Sequence, residues 1–416
     1  MFTHPGARKV KANISSTIRA HLDRGALCLL TALAVCLIPF AFGQRRADVP
    51  SQSQNPTGFV CYGCPSNGWH AGPDMPSTAV RTVGVYFYPN FKFYVMGGRS
   101  MDGVGNDLTH PFEFTPGTIN TWSIKSATYP DNQVSNMACG VLTDSGTNYI
   151  YCVGGSAGGQ STATDRVFRY NAVTDTIETI PSPWPGNADG ITLPGGFVAF
   201  NNKLYILGGF RINTGMIDTI WEFTPGTNTW VQKSAHLPVP LGYIPTAVIF
   251  TLIYTGGGST WDGTTIHDSN NSFVYDPVAD SISTIANIPR ATGETPALSF
   301  AFLGGTNYMM WVMGGGRDAP NPSNEIDIYD HFSNSWYIGG QFLTPRRNFA
   351  AAADYNCYVW LAGGYASDGV TPLSSMEFFC FPAPTPTATA TATPTATLTP
   401  RATPAPRVRP TPAPRP

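Results

Sequence analysis

The residues of this 416-residue chain that could do chemistry are few and far apart in sequence. Arg81, Arg290 and the adjacent pair Arg346 and Arg347 stand between apolar runs, with Glu294 and Asn348 close by. Guanidinium forks recognise carboxylates and sugar hydroxyls, so this set suits binding of an acidic or polyhydroxylated ligand. Metal chemistry is poorly supported. Beyond the leader the histidines are His70, His110, His236, His267 and His331, and no two form a short metal-ligating pair. The stretch DGVGND from Asp102 to Asp107 lacks the bidentate acid of a calcium loop. There is no G-x-S-x-G elbow and no phosphate loop. No metal or cofactor is expected.

The elements that must position these residues announce themselves by repetition. FTPGTNTW, Phe223 to Trp230, echoes FTPGTINTW, Phe114 to Trp122. Looser copies end at Ile177, Ile282 and Trp336, and PSNGWHAG supplies Trp69. Successive steps from Trp69 are 53, 55, 53, 52 and 54 residues, and a period near 50 is that of a propeller array. In phase with it, six apolar runs end in glycines: YVMGG, YCVGG, YILGG, YTGGG, VMGGG and WLAGG. Such runs read as buried strands, and the glycines as tight turns or close approaches. Each unit has room for four strands, as in ITLPGGFVAF, KLYILGG, TIWEFTP and TNTWVQK, and none has an amphipathic stretch long enough for a crossover helix.

The predicted fold is therefore all-β, a six-bladed propeller over residues 59–381 with four antiparallel strands per blade. The last unit lacks a fourth strand and the first begins one strand early. Residues 65–71 are expected to complete the last blade, closing the ring and removing open sheet edges.

Residues 1–43 carry basic residues ahead of GALCLLTALAVCLIPFAFG, which fits a secretory signal or an uncleaved membrane anchor. Residues 44–58 read as a linker. From 382 to 416 the Pro/Thr/Ala-rich tail has almost nothing to bury and reads as a solvated spacer. The first 46 residues hold seven basic residues against one acid, and the tail holds four arginines. A chain of net charge −2 thus has a middle near −12, which argues against nucleic acid as a partner. Membrane contact is expected through the N-terminal segment alone, if it is retained. The extracellular space, the cell surface or the periplasm is the expected location, and a monomer the expected state.

In such a compartment cysteines pair. Cys139 and Cys152 flank a hairpin turn and can bridge across it. Cys380 would neighbour the closing strand, so a bond from Cys61 or Cys64 to Cys380 or Cys357 would lock the ring.

The double glycine after an apolar strand, followed by an aromatic residue and then Trp, resembles the kelch family of β-propellers across about residues 59–381. Blades 2 and 4 depart from the pattern, with Ile177 and Ile282 in place of Trp, and a loss of packing between blades is expected there. The fold implies that loops joining strands 2 and 3 share a face with the interblade loops, which carry Arg81, Arg290, Arg346, Arg347 and Asn348. That face is the expected ligand surface, for a protein, peptide or glycan. The residues favour a non-catalytic binding or adhesion module. The family also includes mutarotases that act on sialic acid, whose proton transfers need a placed acid or base and an arginine clamp. Glu294, Arg290 and Arg347 would fill those roles here. Galactose-oxidase-like chemistry needs a cysteine free to join a tyrosine, which paired cysteines would not leave.

Overall fold

Each glycine-ended apolar run becomes the second strand of a four-stranded sheet. The computed structural model describes residues 64–380 except 118–119, 302–306 and 355–356. The leader, the linker, the tail and Cys61 lie outside the described residues. Within them, six antiparallel four-stranded sheets follow one another in chain order, with one short 3-10 turn, Pro185–Asn187. Blade 3 consists of Thr192–Phe200, Lys203–Arg211, Gly215–Thr224 and Thr229–His236. Blade 6 contributes Ala350–Ala353, Tyr358–Ala362 and Met376–Cys380, and its fourth strand is Gly68–Ala71 from the other end of the chain. Trp69 pairs with Phe379 and His70 with Phe378, so the ring closes as expected.

The glycines are needed for close approach. At Gly97, where φ is 61°, a Cβ would lie 2.2 Å from the carbonyl oxygen of Val134 in the next interblade loop. The loops of neighbouring blades therefore pack backbone to backbone.

Two polar devices join the blades. The Trp122, Trp230 and Trp336 indoles donate Nε1–H to the Pro73, Ser182 and Ala286 carbonyls at 2.9, 3.2 and 2.7 Å, each on the chain leaving the preceding blade. Where isoleucine replaces Trp, an aspartate five residues after a tyrosine binds that same chain. Asp175 accepts N–H bonds from Ser126 and Ala127 at 2.8 and 3.3 Å, and the Tyr170 hydroxyl at 3.0 Å. Asp280 does likewise with Ser234, Ala235 and Tyr275 at 2.8, 3.4 and 3.0 Å. The clasp is not confined to blades without the indole: in blade 5, beside Trp336, Asn334 accepts the Ala286 N–H at 2.9 Å and the Tyr329 hydroxyl at 2.8 Å.

Burial disfavours the Asp280 charge, but its donors outweigh it and hold its carboxyl below the usual range. Its contribution is therefore present above the unfolded carboxylate pKa and is lost as pH falls through the lower folded value. Asp280→Ala is expected to cost about 1–3 kcal/mol at neutral pH. Urea unfolding should show that difference shrinking in acid; an equal difference at every pH would contradict the clasp.

Cysteines complete the frame. Cys139 bonds to Cys152 across the first hairpin of blade 2, with Cα atoms 4.2 Å apart. Cys64 bonds to Cys380 with Cα atoms 5.8 Å apart, tying the closing strand to its neighbour. Cys357 is disulfide-bonded as well.

Candidate functional site

The first strands of the six blades surround a central channel of about 1150 Å³. At one mouth the chain turns into these strands through Arg81, Asn136, Tyr243, Glu294 and Asn348, all of which line the channel. Each stands two or three residues before its strand, and their φ angles are 59°, 60°, 47°, 54° and 53°. That left-handed conformation is costly for side chains such as Arg, Tyr and Glu, and persists where surroundings enforce it. Here the enforcement is a chain of backbone hydrogen bonds around the rim. Glu294 N–H donates to the Tyr243 carbonyl at 3.2 Å, Asn348 to Glu294 at 2.6 Å, Arg81 to Asn348 at 2.8 Å and Asn136 to Arg81 at 3.0 Å.

Charge gathers on this rim. The Glu294 side chain is fully buried, and Arg317 donates to its Oε1 from Nε and Nη2 at 2.8 and 2.5 Å. Arg347 donates to the other oxygen, Oε2, and through Nη2 to the Gly369 carbonyl at 2.6 Å. Burial disfavours the Glu294 charge, yet Arg317, Arg347 and Arg81 outweigh it and hold the carboxyl below its ordinary range. Tyr365, itself buried, lies between two arginines: Arg347 Cζ is 4.6 Å and Arg81 Cζ 5.6 Å from its ring centroid. Its hydroxyl accepts Arg81 Nε–H at 3.1 Å and donates to Asp102 at 2.7 Å. Arg81 and Arg99 each approach the Asp102 carboxylate at 3.6 Å. Burial, and then repulsion from Arg81, lowers the Arg99 pKa.

The structure therefore brings Arg81, Arg347, Asn348 and Glu294 together and sets Arg290 and Arg346 apart from them. Arg346 is completely buried inside blade 6, where it donates to the Gly363 and Ser375 carbonyls at 2.7 and 3.0 Å and to Glu377 at 2.6 Å. Arg290 plays the same part in blade 5, donating to the Gly314 carbonyl at 3.1 Å and to Asp327 at 2.7 Å. Burial pushes Asp327 up to about 6 against the pull of Arg290. Both arginines fasten an interblade loop to the following blade.

Arg99, Arg317 and Tyr365, which sequence reasoning missed as site residues, all directly follow a double glycine. Aligning the repeats at that position would have found them. His267 is exposed near the start of the strand Ile266–Asp276, between Asp262 at 3.0 Å and Asp318 at 3.3 Å. Among the described residues no three His, Cys, Asp or Glu side chains are grouped to hold a metal ion.

Comparison with known proteins agrees with the architecture. The Kelch motif family model matches residues 137–183. Alpha-scruin of Limulus polyphemus is 26% identical over 36% of this chain and 16% of its own length. The kelch repeat and BTB domain-containing protein 1 of cowpox virus is 23% identical over 71% of this chain. The chain spans about half of that relative, 48% of its length. Among solved structures, that of YjhT superposes with a TM-score of 0.57 at 15% identity, covering 73% of this chain and 95% of the other. Repeat period, blade topology and these likenesses agree: the chain has the fold of a six-bladed β-propeller, carries a Kelch motif at residues 137–183 and is similar to kelch-repeat proteins.

Proposed function

We propose that the chain is a non-catalytic, exported binding propeller that takes a protein or peptide ligand at the arginine-rimmed mouth, with the Pro/Thr tail as spacer. The observation that carries this reading is the state of Glu294. A proton carrier at neutral pH needs a carboxyl tuned near that pH and free to reach its substrate. Glu294 is instead charged, buried and held by two guanidiniums, so its role is to fix Arg317 and Arg347 at the rim. Kelch propellers among the relatives are parts of larger proteins, which is compatible with a docking role. The disulfides fit an oxidising compartment.

The test is capture of ligands by the full chain on peptide and glycan arrays, alongside an anomerisation assay on acidic sugars. Capture that Arg347→Gln abolishes, without anomerisation, supports the proposal. Anomerisation that Glu294→Gln removes would overturn it in favour of the carbohydrate-active alternative.

A further inference from the structure

Arg81 differs from Arg317 and Arg347 in what it leaves unused, and from Arg99 in lining the channel. Arg317 donates to Glu294, Arg347 to Glu294 and the Gly369 carbonyl, and Arg99 gives only its Nε–H, to Ser135 Oγ at 3.0 Å. Arg81 is held through Nε alone, by Tyr365 and Asp102, and its two terminal nitrogens have no hydrogen-bond partner among the described residues. The side chain is only 16% exposed, and it lines the channel. A guanidinium edge so placed is a preformed donor pair for a planar, two-oxygen anion.

A second unmet donor stands beside it. Asn348, joined to Arg81 through the rim's backbone hydrogen bond, is 8% exposed and its Nδ2 has no partner. Local charge permits the same ligand. Arg81, Arg99, Arg317 and Arg347 gather here with Glu294, Asp102, Asp107 and Asp268, and Glu294 is taken up by Arg317 and Arg347. Arg81 and Arg99 share the single half-exposed Asp102, and a ligand anion on Arg81 would relieve their repulsion.

Beneath the rim the chemistry changes. Val85, Val141, Phe197, Val248 and Leu298 line the channel walls, with Thr246 and Ser299 as polar interruptions. A hydrophilic acid would leave these walls unused. An apolar stem below a carboxylate head would bury its surface against them, with about 25 cal/mol gained per Å².

Resting on the reading of the mouth as a ligand site, we infer that it takes a carboxylate carried on an apolar stem, the head on Arg81 and Asn348 and the stem in the channel. Two sources share that chemistry, a small amphiphilic acid and the free C-terminus of a polypeptide ending in an apolar residue.

Calorimetry on the full chain separates them. The probes are octanoate, octylamine, glucuronate, and a short peptide ending in leucine as its free acid and as its amide. Binding of octanoate or of the free-acid peptide, with octylamine, glucuronate and the amide at least about tenfold weaker, is the expected result. Octanoate alone would identify a small acid, and the free-acid peptide a C-terminus. Arg81→Gln should weaken the binding by about tenfold or more. Asn348→Gly, which suits the left-handed backbone, should weaken it severalfold with the thermal midpoint kept. Equal binding of octylamine or glucuronate, or unchanged affinity in folded Arg81→Gln, would overturn the inference. If arrays capture a ligand through Arg347 but neither acid binds, the inference fails and the binding-propeller reading stands. If an acid binds as expected but the arrays capture nothing, the macromolecular reading fails and this site stands.

Discussion

Arg346→Ala is expected to destabilise the propeller by about 3–5 kcal/mol, the range for breaking a buried ion pair by deleting one partner. The Arg346 side chain has no exposure, and Glu377, on the third strand of blade 6, is almost as deeply buried. Glu377 also accepts the Leu343 and Thr344 N–H groups at 2.6 and 2.9 Å. Removing the guanidinium leaves a buried carboxylate held by backbone donors alone, and withdraws its donors from the Gly363 and Ser375 carbonyls. Arg346→Lys should recover little, because one ammonium cannot span the carbonyls and the carboxylate that the planar fork bridges. Urea unfolding monitored by tryptophan fluorescence measures the loss. Any Arg346 variant that folds should keep wild-type affinity for rim ligands, since the guanidinium points into the blade. A variant with full stability and lost binding would refute that placement.

The adjacent pair Arg346 and Arg347 shows what could be read from the sequence and what could not. The blade count was legible, because every blade must repeat the same buried strand, tight glycine turn and aromatic edge, and six copies in register leave little choice. Ring closure was legible for a similar reason, since unpaired edges at Trp69 and Cys380 needed each other. The roles of the arginines were not. Neighbours along an extended chain point to opposite sides. Arg346 therefore enters the blade while Arg347 reaches the rim, though one motif contains both. The left-handed rim was equally hidden, because Arg81, Tyr243 and Glu294 are not residues that advertise positive φ. What places them there is a set of backbone bonds between loops about 50 residues or more apart in sequence. The clasp at Asp175 and Asp280 lay within the repeat itself, yet its acceptor role depends on the amides of the preceding blade.

Glu294→Ala should cost about 3 kcal/mol near neutral pH, through a different route. The carboxylate neutralises two guanidiniums at once, and without it Arg347, 9% exposed, would be left as an uncompensated buried charge. Arg317 keeps 30% of its surface exposed and can turn toward solvent, which places the figure at the lower end of the buried-pair range. Because the folded pKa of Glu294 is lowered, its stabilisation is full above the unfolded glutamate value and disappears as pH falls through the folded one. The wild type should therefore lose stability in acid more steeply than Glu294→Gln, and the two unfolding curves should converge at low pH. Backbone strain can be separated from charge at the same position. Glu294 has a φ of 54°, where glycine is at ease and alanine is not, so Glu294→Gly should exceed Glu294→Ala in stability by about 1 kcal/mol. If glycine and alanine are equal, the rim is not strained at this residue. If the acid limbs of wild type and Glu294→Gln run parallel, the carboxylate does not hold the arginines in its charged form, and Glu294 is free to carry a proton.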